Sequence, residues 1–177
     1  MAGSAVRAGA DYALPPRGGV TPQVVGNGNG NDVAARAPTG FIFSAIGSFD
    51  SLNNVTGESV QISAAGPAVA NAYKLQINTD FFTSTVCSGS PSGDCRGWEQ
   101  FVFENNNVSH RAFIQYCMIK YNTTCPAGWT QFPSPPNIYC VIKSNSSGAV
   151  GTPAVPATSL GQVTLTGTAA AGGDSIP

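Results

Sequence analysis

The sequence predicts an all-β domain, an antiparallel β-sandwich of jelly-roll type over residues 39–177, and three observations carry that expectation. From Phe41 onward, short apolar or alternating runs recur between clusters of Gly, Pro, Asn and Ser. Charged residues make up only 10% of the 177 residues against 42% hydrophobic ones, a balance that suits an extracellular β protein with many turns. Five cysteines fall within one third of the chain, none at CxxC spacing.

The first 38 residues contain PPRGG and GNGNGND and show neither strand nor helix periodicity. They bury too little apolar surface to offset chain entropy, so they read as a disordered leader. Met1 to Leu14 carries Arg7 and Asp11 and lacks the continuous apolar stretch of an export signal, so any such signal has been removed or lies outside this sequence. The expected strands are Phe41–Phe49, Ser59–Ser63, Ala72–Asn78, Trp98–Glu104, Ala112–Tyr121, Tyr139–Ser144 and Gln162–Thr168. Their aromatic and β-branched residues favour strands, and NNNVSHR between the fourth and fifth reads as a hairpin loop containing His110. Alternation places Trp98, Gln100 and Val102 on one face and Glu99, Phe101 and Phe103 on the other. In the next strand Ala112, Ile114, Tyr116 and Met118 oppose Phe113, Gln115, Cys117 and Ile119. Both strands are therefore apolar on two faces, as in a central strand covered on both sides or one wall of a ligand groove. After Gln162–Thr168 the chain ends in small residues, so the fold is either compact and open-edged or C-terminally truncated. Truncation would leave Gln162–Thr168 at an exposed edge.

Cys87 and Cys95 bracket a turn-rich SGSPSGD loop, and Cys125 and Cys140 bracket a second loop, which predicts those two disulfides and an oxidising, extracellular setting. Cys117 lies in an apolar strand and is left as a buried thiol. With a lone His110 and no second ligand cluster, no metal site is expected, and nothing calls for a cofactor. Four Asn-x-Ser/Thr triplets, at Asn54, Asn107, Asn122 and Asn145, fit a secreted glycoprotein. A net charge of −1 without clustered Lys and Arg argues against nucleic acid, and no apolar run is long enough for a membrane span.

The segments AIGSF (Ala45–Phe49), YKLQINTDFF (Tyr73–Phe82), CRGWEQFVF (Cys95–Phe103), AFIQY (Ala112–Tyr116) and TCPAGW (Thr124–Trp129), followed by a late LTGT, share their order and wording with a group of secreted microbial proteins. From about Ile42 to Thr168 the chain resembles that group. Its members are similar, more distantly, to concanavalin-like jelly rolls and to glutamic peptidases, in which a Gln and a Glu project from neighbouring strands of a concave sheet. Two departures stand out: Cys117 replaces the Trp that usually follows AFIQY, and the acidic segment that follows LTGT in the group is absent.

Two functions of different class follow. A carbohydrate-binding module needs aromatic platforms beside amides, for which Trp98, Tyr116 and Trp129 with Gln100, Gln115 and Asn137 are the candidates. An acid peptidase of glutamic-peptidase type, acting on polypeptide, needs a carboxyl to activate water and an amide to hold the oxyanion; Gln100, Gln115 and Glu104 are the candidates. Glu99 is a poorer partner for Gln100, because the two face opposite ways. No Ser-His-Asp arrangement or phosphate loop has its required context, and an apolar setting makes Cys117 a poor nucleophile. A structural or surface role is the third reading.

Overall fold

A computed structural model describes residues 40–49, 52, 54–61, 66–106, 109–144 and 150–177, and the leader expected over 1–38 lies outside them. Among the described residues ten strands follow in chain order: β1 (Ser44–Ser48), β2 (Ser59–Gln61), β3 (Ala68–Ala70), β4 (Tyr73–Asn78), β5 (Arg96–Asn105), β6 (His110–Ile119), β7 (Thr130–Ser134), β8 (Asn137–Lys143), β9 (Val150–Gly151) and β10 (Thr164–Thr168). Short 3-10 turns occupy Thr85–Gly89 and Ala157–Gln162. Among the described residues all strand pairings are antiparallel, and no sheet closes into a barrel. The fold is thus an all-β sandwich, as the residue pattern predicts.

One layer is a six-stranded sheet in the order β4-β5-β6-β8-β7, with β9 added beside β6. Its spine is the β5–β6 hairpin, the two longest strands, paired from Arg96 with Ile119 to Asn105 with His110. His110 therefore opens β6 rather than sitting in the loop, which is shorter than the sequence suggests. The second layer is the β1–β10 ribbon, with Ala157–Gln162 beside it. Tyr73, Phe101, Phe103, Leu160, Val163 and Leu165 form the core between the layers, with Leu75 and Ile77 packed against it. The ribbon crosses so near to β5 that a Cβ on Gly167 would lie 2.6 Å from the Phe101 ring, which explains a glycine within a strand. β10 pairs along its whole length with β1, while its other edge meets a single bridge between Thr168 and Ser175.

A second core on the same face of the large sheet joins Cys95, Met118, Tyr121 and Cys140, with both disulfides at its margin. Those bonds are Cys87–Cys95 and Cys125–Cys140, as the bracketed loops predict, and Cys117 is free and buried, as its apolar strand predicts. Asn105, 2% exposed, ties the far end of the sheet to the segment before β10. Its amide nitrogen donates to the Asn71 carbonyl, and its Oδ1 accepts from the Val155 N–H at 2.9 Å and approaches His110 Nδ1 at 3.1 Å. Burying a polar side chain is tolerable because these partners satisfy it.

Three strands escaped the sequence pattern: β3 and β9 are very short, and β7 contains Pro133. Proline cannot donate to a ladder, and β7 tolerates it by lying at the edge of the sheet.

Candidate functional site

The two faces of the large sheet differ in kind. The ribbon covers one; among the described residues no second layer of strands covers the other. Register and alternation arrange that second face in successive rows. Lys74 of β4, Glu104 of β5 and Arg111 of β6 form the first row, and Gln76, Val102 and Phe113 the second. Asn78, Gln100, Gln115 and Lys143 of β8 form the third. Trp98, Cys117, Val141 and Thr130 follow, and Ile119, Tyr139 and Phe132 lie beyond them.

The centre of this face is a connected run of amides. Gln100 Nε2 donates to Asn78 Oδ1 at 3.0 Å and lies 3.3 Å from Gln76 Oε1, while Gln100 Oε1 accepts from Gln115 Nε2 at 2.7 Å. Gln100 is only 3% exposed. It acts as the pin that orients its neighbours, leaving Asn78 exposed and Gln76 and Gln115 half-buried at the surface. Cys117 lies beneath the same run, its Sγ 3.5 Å from Gln115 Nε2 and 3.8 Å from Gln100 Oε1. Burial pushes its thiol up to about 11, outweighing the opposing effects of the Gln115 hydrogen bond and the Lys143 charge.

At one end of the face the side chains are charged. Glu104 accepts from Arg111 Nη2 at 3.1 Å and lies 3.8 Å from Lys74 Nζ. Arg111 and Lys143 both lie over the Phe113 ring, at 5.2 and 4.9 Å from its centroid. Burial, with repulsion from Lys74 and Arg111, lowers the Lys143 pKa. At the other end Trp98, Cys117, Ile119 and Tyr139 pack together, and Phe81 meets Trp98 edge to face at 5.8 Å.

The expected site residues are thus divided. Trp98, Gln100, Gln115 and Glu104 share the amide face, and Asn137 lies on that side at its far end. Tyr116 and Trp129 belong to the opposite face, where their rings meet edge to face at 5.7 Å beside the disulfide core. Tyr116 Oη is also 2.9 Å from Ser84 Oγ. The aromatic platform expected from Trp98, Tyr116 and Trp129 is therefore not assembled: two of the rings lie across the sheet from the third, and Trp98 is only 8% exposed.

The carboxyl and amide of a peptidase dyad are not assembled either. Glu104 and Gln100 share a face but stand four residues apart on β5, about 13 Å at strand rise, with Val102 between them. Glu104 is also held by two cations and by Asn106. Glu99 does project to the other face, where it is buried and shares a hydrogen bond with Asp174. Burial first, then that bond and the Asp174 charge, push its carboxyl up to about 7.

Sequence reasoning missed Lys74, Gln76, Asn78, Arg111 and Lys143. The signal for the first three was legible as polar residues alternating through YKLQIN, but which strand they adjoin is decided by sheet order. No known protein family, curated protein or solved structure matches the chain. The class that fold and covalent structure define is an all-β, disulfide-stapled sandwich protein. Among the described residues no helix is long and apolar enough to cross a membrane.

Proposed function

We infer that the protein is a secreted carbohydrate-binding module whose contact surface is the amide face of the large sheet. The observation that carries this reading is the run Asn78–Gln100–Gln115 with Gln76 beside it. Amides fixed in one orientation offer a donor and an acceptor at neighbouring points, which is what recognition of sugar hydroxyls requires. Because Gln100 already holds its neighbours in place, little side-chain freedom is left to lose on binding. Two disulfides support an extracellular setting. Of the glycosylation triplets, Asn54 is exposed, and Asn122 uses its amide to bond Asn137 and Ile138; Asn107 and Asn145 lie outside the described residues.

A glycan array probed with the intact protein tests this. Gln76→Ala and Asn78→Ala are expected to weaken retained glycans by about tenfold each, the effect of losing one or two polar contacts, while lowering the melting temperature modestly because each removes an acceptor from the buried Gln100 amide. Trp98→Ala is a poor probe, since the ring is packed in the sheet. Binding unaffected by both amide variants would move the site elsewhere, and a protein that retains no glycan would favour a structural surface role.

A further inference from the structure

Building on the glycan-binding reading, we propose that the ligand is an acidic polysaccharide, and that Lys143, Arg111 and Lys74, gathered around Phe113 next to the amide run, form the subsite for a uronate carboxylate. The charge distribution points there. The described residues contain five Lys and Arg side chains, Lys74, Arg96, Arg111, Lys120 and Lys143, and three of them meet at this corner against one carboxylate, Glu104. The chain as a whole has a net charge of −1, so a local excess of two positive charges is set apart from the rest of the molecule.

The cations are not equivalent. Arg111 directs its Nε and Nη2 to Glu104 Oε2 at 3.3 and 3.1 Å, and Lys74 flanks the same carboxylate. Lys143 makes no ion pair among the described residues. It sits in the third row, directly beside Gln115, with its ammonium over the Phe113 ring. Burial first, and then repulsion from Lys74 and Arg111, lowers the Lys143 pKa. A carboxylate placed there would relieve this repulsion and accept from Lys143, while the sugar bearing it would extend over Gln115, Gln76 and Asn78. A charge-assisted hydrogen bond beside neutral amides is how one face can recognise both the acid group and the hydroxyls of one residue.

The test compares polygalacturonate with its methyl ester, which keeps the backbone and removes the charge, by affinity electrophoresis and calorimetry on the full chain. The acid form is expected to bind at least about tenfold more tightly, and Lys143→Gln to abolish that preference, so that acid and ester are bound alike. Lys74→Gln, on an exposed side chain, is expected to reduce it in part. Equal affinity for acid and ester would overturn the anion subsite and leave the glycan reading standing. Binding of neither polymer would overturn the acidic-polysaccharide assignment, and retention on the glycan array would then decide the glycan reading separately. An acid preference that survives Lys143→Gln would also overturn the assignment, as would inorganic phosphate competing as well as the polymer, which would mark a site for free anions.

Discussion

Glu99 makes stability depend on pH in the direction opposite to that of an ordinary ion-paired carboxylate. Its folded-state pKa of about 7 stands above the ordinary value of 4.5, because burial and the adjacent Asp174 both penalise the charged form. Between these two values the folded chain holds a proton that the unfolded chain has released, so unfolding free energy falls as pH rises through that window. The full shift corresponds to at most about 3 kcal/mol at 1.36 kcal/mol per pH unit. Asp174 is exposed, so solvent screens its part of the interaction and about 1–2 kcal/mol is the expected net effect. Glu99→Gln keeps the shape and a hydrogen-bond donor while removing the titration. Urea unfolding followed by Trp fluorescence at pH 4.5, 5.5, 6.5 and 7.5 reads the difference between variant and wild type. That difference should be near zero at pH 4.5 and grow in favour of the variant by about 1–2 kcal/mol at pH 7.5. A difference that stays constant with pH would refute the reasoning, and Asp174→Asn should shrink the wild-type slope.

Gly167→Ala forces a Cβ to within 2.6 Å of the Phe101 ring, so it should destabilise the fold by about 1–3 kcal/mol through parting of the ribbon from the sheet, measurable as a lowered urea midpoint. Replacing Cys125 and Cys140 together by Ser should cost about 2–4 kcal/mol, the effect of opening a 15-residue loop, with the circular dichroism spectrum at low temperature remaining that of a β protein. Cys117, 4% exposed and with its thiol pushed up to about 11, should stay unreactive toward a disulfide reagent at pH 8 until the protein is unfolded, when one thiol per chain should react.

The longer strands, both disulfides and the buried thiol were legible in the sequence because each depends on local information, whereas β3, β7 and β9 were not. Alternation of polar and apolar residues marks β4, β5 and β6, and short turn-rich loops set which cysteines meet. The division of the candidate residues was not legible. Tyr116 and Gln115 are neighbours in sequence, yet one packs beside the disulfides and the other joins the amide run, and alternation alone says only that they differ. Which face the ribbon covers is decided by the β1–β10 pairing across more than 100 residues, and by the approach of Gly167 to Phe101. The meeting of Lys74, Glu104, Arg111 and Lys143 likewise requires the order β4-β5-β6-β8, since they come from four strands separated by loops of very different length. Periodicity is a property of one strand, whereas a site on a sheet belongs to the register between strands. Register is selected by the whole apolar face at once, because slipping it by one residue would turn Phe101 and Phe103 out of the core and Gln100 into it.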